Sequence, residues 1–478
     1  MHAYYRIVGL ALLLTVLLPG CGKFLAKNVD SSVQQAHTVA DFQAIMDNNV
    51  MTAGTTPGLG PLYVDDYTIE PAAQPGLDAF SIAVYTWQPS LLTSNILPSW
   101  SYPYDAINYC NDVLTELPGL TDLDSTDVAG RRFVLGQAYY LRAFLYYNLE
   151  ETFGQPYREA SSSTDHGVPL RISENVQPQA PRATVAEVYQ QIVSDLNKAA
   201  PLLPTALQVA NRNRPCRAAA YGLLARVWLT RQDYAQAAAY ADSCLSLYDS
   251  LVDYNSLDST RTHPFPPGGN SEVLFQCWAE NYPLQYAQTT LVDSTLYSSY
   301  SPDDLRRSIF FLPITGAAGP AAIPAPIPAP GASSGMAAGY SFKGQYSGRY
   351  YIFSGIAVDE VFLIRAESRA WIGDIAGAMA DVNALLVKRW RKGRFTPYTA
   401  ATQDAALRIV LSEKRKETLF REGRFYDLRR LNQNPAYADT MSRVYGGTTY
   451  TLLPGSPRYA FPIPQQEIDL DGEVQNPE

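Results

Sequence analysis

The sequence predicts a mainly α fold, in which helix pairs form a scaffold capped by an irregular, loop-rich lobe with a few short strands. Three observations predict it. Long stretches place apolar residues at three- and four-residue spacing. Two of them, around Ala225 and Ala366, repeat one small-large-small signature. Between the helical stretches lie segments dense in Gly, Pro and Ser that carry only short alternating runs.

The first element is a leader. "MHAYYRIVGLALLLTVLLPG" has one early charge, Arg6, and an apolar run from Ile7 to Leu18, which is too short to span a bilayer comfortably. Residues 1–20 therefore read as a signal peptide. Gly20 directly precedes Cys21 and Leu18 lies three positions ahead of it, an arrangement that resembles a lipobox, with Pro19 in place of the usual Ala or Ser. The expectation is lipidation of Cys21 followed by a polar tether over 21–38, and the alternative is a plain signal peptide. About 458 residues follow the leader, enough for one large helical array with an appended lobe.

Past the tether, "VADFQAIMDNNV" reads as a short helix, with Phe42, Ile45 and Met46 on one face. Residues 51–99 lose this pattern, and a segment of that length implies a function or an anchor elsewhere. Helical spacing returns over 100–153: Tyr104, Ile107, Cys110, Val113 and Leu117 mark a first helix, and a longer one runs from Asp127 to a stop at Gly154. Thr184 with Glu187 forms a capping box, and Pro215 opens the next helix. Ala225, Tyr234 and Ala237 then match the spacing of a tetratricopeptide unit, and Ala366, Ile375 and Ala378 repeat it. Gln232 and Gly373 supply the two turns.

The expected repeats thus occupy about 100–153, 184–247 and 358–391, and an irregular lobe comprises about 51–99 and 249–355. The lobe contains a Pro/Ala-rich tract over 314–339. A closing segment, 402–478, begins with "AALRIVLSEKRKETLFREGRFYDLRRL", read as one helix, and everything from 39 to 478 reads as a single domain.

Composition narrows the function. A net charge of −9 argues against nucleic acid, and no Lys/Arg run reads as a phosphate track. Cys110, Cys216, Cys244 and Cys277 are widely spaced without a C-x-x-C pair, so neither a metal site nor a redox motif is indicated. His37, His166 and His263 are also far apart, so the expectation is no metal, no cofactor and no catalysis. The chain holds 33 tyrosines, flat rings with a polar tip suited to sugars and peptides and equally to a core.

"LSEKRKETLFREGRFYDLRRL" (411–431) resembles the C-terminal signature of the SusD/RagB family of outer-membrane nutrient-binding lipoproteins. Four further segments agree in order: "CGKFLAKNVD", "GQAYYLRAFLYYNLEETFGQPY", "VDEVFLIRAESRAWIGD" and "FPIPQQEIDLDGEVQNP". Lys414 and Thr418 depart from the usual Arg and Leu. The resemblance implies a surface-exposed, lipid-anchored protein of the outer membrane, without enzymatic activity. Such a protein captures an oligosaccharide, or in some members a peptide, and passes it to a SusC-like TonB-dependent transporter. A scaffold without a small ligand is the rival reading.

Sugar sites pair aromatic faces with Asp, Asn or Arg at the edge. Tyr85 and Trp87 in the long early loop are the first candidates, with local core filling as the alternative. Asp65, Asp66 and Tyr67 fall in a segment that the resemblance places near the ligand face. Trp278, Tyr282 and Tyr286 in the lobe form a second set. The mixed charges of "REGRFYDLRR" suit internal ion pairs rather than a ligand.

Overall fold

The structure is a computed structural model that describes residues 36–121, 123–172, 181–282, 284, 290–314 and 339–477. The leader, Cys21 and most of the tether lie outside the described residues, as do Tyr286 and most of the Pro/Ala tract.

Ten helices carry the scaffold: α1 (Val39–Met46), α2 (Leu97–Glu116), α3 (Ser125–Phe153), α4 (Val185–Leu202), α5 (Arg217–Thr230), α6 (Tyr234–Leu247), α7 (Val358–Trp371), α8 (Ile375–Leu386), α9 (Gln403–Glu417) and α10 (Gly423–Leu431). From α2 to α9 each packs on the next, so apolar stripes that no single helix could bury become one continuous interior. Close approach rests on small side chains: Ala225, Ala237, Ala366 and Ala378 are all fully buried. The two repeat turns share one backbone conformation, with φ of 61° at Gln232 and 88° at Gly373. Each is followed by an aspartate that caps the next helix, Asp233 on Gln236 N–H and Asp374 on Gly377 N–H. At the start of α4 the capping box is complete. Glu187 N–H donates to Thr184 Oγ1 at 3.3 Å and Thr184 N–H to Glu187 Oε2 at 2.8 Å.

The closing segment differs from its expected single helix. The chain breaks between α9 and α10, where Phe420 adopts φ 52° and packs its ring 5.0 Å from Phe342. The break is tertiary in origin, because burying Phe420 against the lobe outweighs continuing the helix. Ion pairs then fasten this segment to the repeats. Arg421 meets Asp359 at 2.9 Å, and Lys414 bridges Glu367 at 3.1 Å and Asp427 at 2.8 Å.

The two irregular segments combine into one lobe through short two-stranded ladders. β1 (Ala53–Thr56) pairs in parallel with β6 (Trp278–Ala279), and β2 (Tyr67–Ile69) pairs with β7 (Thr290–Val292). Antiparallel pairs also join β3 (His166–Pro169) to β4 (Arg182–Thr184), β5 (Val273–Phe275) to β10 (Ile356–Ala357), β8 (Phe311–Ile314) to β9 (Gly339–Phe342), and β11 (Met441–Tyr445) to β12 (Thr448–Leu452). The length of the 51–99 segment is thereby explained, since it supplies strands to partners more than two hundred residues away.

One large apolar core joins scaffold and lobe, and a smaller one lies among α7, α8 and α9. Much of the tyrosine excess is structural: Tyr63, Tyr85, Tyr140, Tyr146, Tyr147, Tyr189, Tyr254 and Tyr300 are all buried. Cys110, Cys216, Cys244 and Cys277 are buried free thiols.

Candidate functional site

The early-loop aromatics are core rather than surface. Trp87 is 0% exposed, its indole N–H donates to Tyr63 O at 2.9 Å, and its backbone sits at φ 54°. Arg443 from β11 explains the arrangement: its guanidinium lies 4.6, 4.7 and 4.8 Å from the ring centres of Tyr67, Tyr85 and Trp87. The same guanidinium donates to Leu62 O and Tyr85 O, both at 3.1 Å, and to Val64 O. The three rings are the walls of a cation cage that locks the lobe to the C-terminal strand. A sugar cannot reach them in this arrangement, so Tyr67, Tyr85 and Trp87 are corrected to structural residues.

Asp65 and Asp66 are likewise structural. Although adjacent in an irregular segment, they converge on Arg415, with Asp66 at 2.9 Å and Asp65 at 3.1 Å, and Asp65 also meets Arg424 at 3.1 Å. Burial pushes the Asp65 carboxyl up, but Arg424 and Arg415 outweigh it and hold the group below the ordinary carboxylate range. For Asp66 burial prevails over Arg415 and the group is raised. Both carboxylates are committed to this ion-pair network, Asp66 buried and Asp65 partly exposed.

Tyr282 is also buried, its hydroxyl bonded to Ser99 Oγ at 2.6 Å and donating to Glu280 Oε2 at 2.9 Å, while Phe80 stacks on its ring at 5.1 Å. Trp278 is different. It is half-buried, its backbone N–H donating to Thr52 O at 3.1 Å, and its ring lies nearly parallel to that of Tyr351, 5.6 Å away with 12° between planes. Tyr350 adjoins with its ring centre 4.4 Å from that of Tyr351 and their hydroxyls 3.1 Å apart. Trp278, Tyr350 and Tyr351 thus make a part-exposed aromatic surface, with Asn281 and Glu280 just after β6, Glu280 Oε2 accepting from Ser99 and Tyr282, and exposed Arg349 directly before the tyrosine pair in the chain.

Tyr350 and Tyr351 escaped the sequence reading, although "GRYY" beside a strand is an aromatic doublet that could have flagged them. So did a second half-buried stack, Tyr297 on Tyr340 at 3.7 Å with the Arg307 guanidinium 4.5 Å from the Tyr297 ring.

Two internal features are no ligand sites. Glu272, Asp359 and Glu417 cluster closely enough to hold a metal, but two guanidiniums supply the positive charge there. Arg389 reaches Glu272 at 2.8 Å and Glu417 at 2.7 Å, and Arg421 reaches Asp359. A cavity of about 30 Å³ beside Arg226, Tyr147 and Glu422 has room for a water and not for a sugar ring. Burial drives the Glu422 carboxyl well above its ordinary range.

Comparisons agree with this architecture. Residues 23–229 match the SusD-like_3 family model, described as starch-binding and associating with the outer membrane, and residues 359–478 match the SusD_RagB model, the SusD family. SusD-like protein P2 of Formosa agariphila is 26% identical over 425 residues, covering 77% of each chain. Among solved structures, a SusD superfamily protein from Bacteroides thetaiotaomicron is 20% identical with a TM-score of 0.70, covering 92% of this chain and all of the other. A SusD-like carbohydrate binding protein from Bacteroides vulgatus, 19% identical, has a TM-score of 0.69 over 91% and 97% of the chains. A laminarin binding SusD-like protein, 20% identical, has 0.65 over 92% and 98%. With both family models matched in order along one helical scaffold, the chain belongs to the SusD/RagB family of outer-membrane-associated binding proteins.

Proposed function

We propose that this protein captures oligosaccharides at the cell surface and hands them to a SusC-type TonB-dependent transporter, without chemistry of its own. The observation that carries the reading is the surface formed by Trp278, Tyr351 and Tyr350. Part-exposed rings, Trp278 and Tyr351 nearly parallel and Tyr350 tilted by 44° to Tyr351, with polar Asn281 and Arg349 close to them in the chain, supply the kind of ring stacking and hydroxyl recognition that pyranoses use. The printed descriptions of relatives as starch-binding, carbohydrate binding or laminarin binding support the ligand class. Attachment is through a lipid on Cys21, supported by the lipobox-like run from Leu18 to Gly20; among the described residues no helix is long and apolar enough to cross a membrane.

Calorimetry of the chain beginning at Gly22, against maltooligosaccharides, laminarin oligosaccharides and unrelated peptides, tests the ligand. Binding to at least one glycan is expected, weakened tenfold or more by Trp278→Ala. Binding confined to peptides, or full glycan affinity in the variant, would sink the reading. The same assay on whole cells carrying the full chain should lose surface retention of that glycan in Cys21→Ala.

A further inference from the structure

The net charge of −9 makes one stretch conspicuous, "KRWRKGR" from Lys388 to Arg394, with five cations in seven residues. Arg389 turns inward to Glu272 and Glu417, which leaves Lys388, Arg391, Lys392 and Arg394 at the surface. Their loop follows α8 and turns at Gly393, where φ is 75°. It is pinned from several sides. Tyr254 N–H donates to Lys388 O and Leu305 N–H to Arg389 O, both at 2.8 Å, and Arg391 N–H donates to Asp303 O at 2.9 Å. Asn255 closes the loop from below, its Nδ2 donating to Trp390 O at 3.0 Å and its Oδ1 accepting from Lys392 N–H at 3.1 Å.

The backbone is thus fixed while the cations are little used for stability. Lys388 meets Asp253 at 3.9 Å and Arg391 meets Asp303 at 3.8 Å, both long pairs between groups more than 40% exposed, where an ion pair is worth little. Among the described residues no carboxylate lies within 4.0 Å of Lys392 or Arg394. Lys388, Arg391 and Lys392, with Asn255, Ser256 and Phe395, line a pocket of about 480 Å³, room for one or two substituted sugar rings; one carboxylate, Asp253, shares the lining, so three cations face one anion there.

We infer that this basic pocket is a binding site for the anionic substituents, sulfate or carboxylate, of an acidic glycan. The class of ligand rests on the carbohydrate reading; the site is a different one from the Trp278 surface. Arginine forks match the geometry of planar or tetrahedral oxyanions, and lysine adds point charge. A net charge of −9 disfavours polyanion binding in general, so a local cluster of cations stands out as the place where one would bind. A concave, preorganised pocket also suits a sugar substituent better than the flat face of a charged membrane.

The test is affinity electrophoresis and calorimetry of the chain beginning at Gly22, with dextran sulfate, polygalacturonate and neutral dextran as probes. Dextran sulfate or polygalacturonate is expected to bind, more weakly at 500 mM than at 50 mM salt. Affinity should fall tenfold or more in Lys392→Ala/Arg394→Ala, which removes one cation that lines the pocket and one from the loop beside it, both exposed and without structural bonds from their side chains. A control, Arg132→Ala/Lys198→Ala, removes two cations from α3 and α4, outside the pocket lining, and should bind as the parent does. Absence of binding to both acidic polymers, or equal binding by the Lys392/Arg394 variant, overturns the inference. So does binding only to vesicles of lipopolysaccharide. Failure of neutral glycans to bind, alongside variant-sensitive binding of dextran sulfate, would remove the Trp278 reading and leave this site standing.

Discussion

At the scale of single residues, burial decides what a polar side chain does. Glu150 near the end of α3 is fully buried, one carboxylate oxygen accepting Val168 N–H at 3.0 Å, and its carboxyl presses against Gly154 and Gly167, where any larger side chain would collide with it. Burial raises its pKa to about 8, with Arg429 opposing only in part. The folded state therefore holds this proton more tightly than the unfolded chain. Its stabilising effect is complete below about pH 4.5 and is lost as pH rises toward 8, at a slope of at most about 1.4 kcal/mol per pH unit. Glu150→Gln, which keeps the shape and cannot ionise, should flatten that part of the profile. Melting temperatures of parent and variant from pH 5 to 8.5 should diverge, the parent losing more; parallel curves would refute the assignment. The same logic separates the legible from the illegible among the site residues. Trp278 is a candidate as part of an aromatic set in the irregular lobe, and the structure leaves it half-buried beside Tyr351. Trp87 looked equivalent, because nothing near it in sequence reveals that Arg443 closes the cage from the other end of the chain.

Among elements, the repeat units were the most legible part, since helical periodicity and turn chemistry are local. Even the equivalence of Gln232 and Gly373 was readable, and the shared left-handed turn is its physical content. The turn also allows a clean test of backbone strain. A Cβ built on Gly373 meets nothing within 4 Å, so Gly373→Ala carries a conformational penalty and no clash. The expected cost is about 1–2 kcal/mol, seen as a lower urea midpoint, and an unchanged midpoint would show that the turn relaxes. Less legible were features whose cause is tertiary. The break at Phe420 follows from its packing on Phe342, and the basic loop after α8 was absorbed into the end of a helical repeat, so its exposed cations went unnoticed. Helical spacing locates Lys388–Arg394 in the chain; only the bonds from Asn255, Tyr254 and Leu305 show that the loop leaves the helix and faces outward.

Across the whole molecule, buried charge joins what the apolar cores alone leave separate. Arg389, after α8, links Glu272 of the lobe to Glu417 of α9, and Arg306 of the lobe links Asp304 to Glu413 and Glu417. Such pairs return little net energy over apolar packing, yet removing one partner strands the others in a dry interior. Arg389→Met should therefore cost about 3–5 kcal/mol at pH 8, where Glu272 and Glu417 lose their shared cation. Burial already lifts Glu272 to about 7 with Arg389 in place, and without it the carboxyl rises further. At pH 5.5 that group is protonated, one of the two stranded charges is gone, and the cost should shrink. Glu272→Gln added to Arg389→Met should recover part of the loss at pH 8 and almost none at pH 5.5. Thermal melts of parent, single and double variants at both pH values supply the comparison. An equal cost of Arg389→Met at the two pH values would mean that the side chain stabilises the lobe-to-scaffold joint by packing on Tyr254, 4.1 Å from its guanidinium, and not by charge.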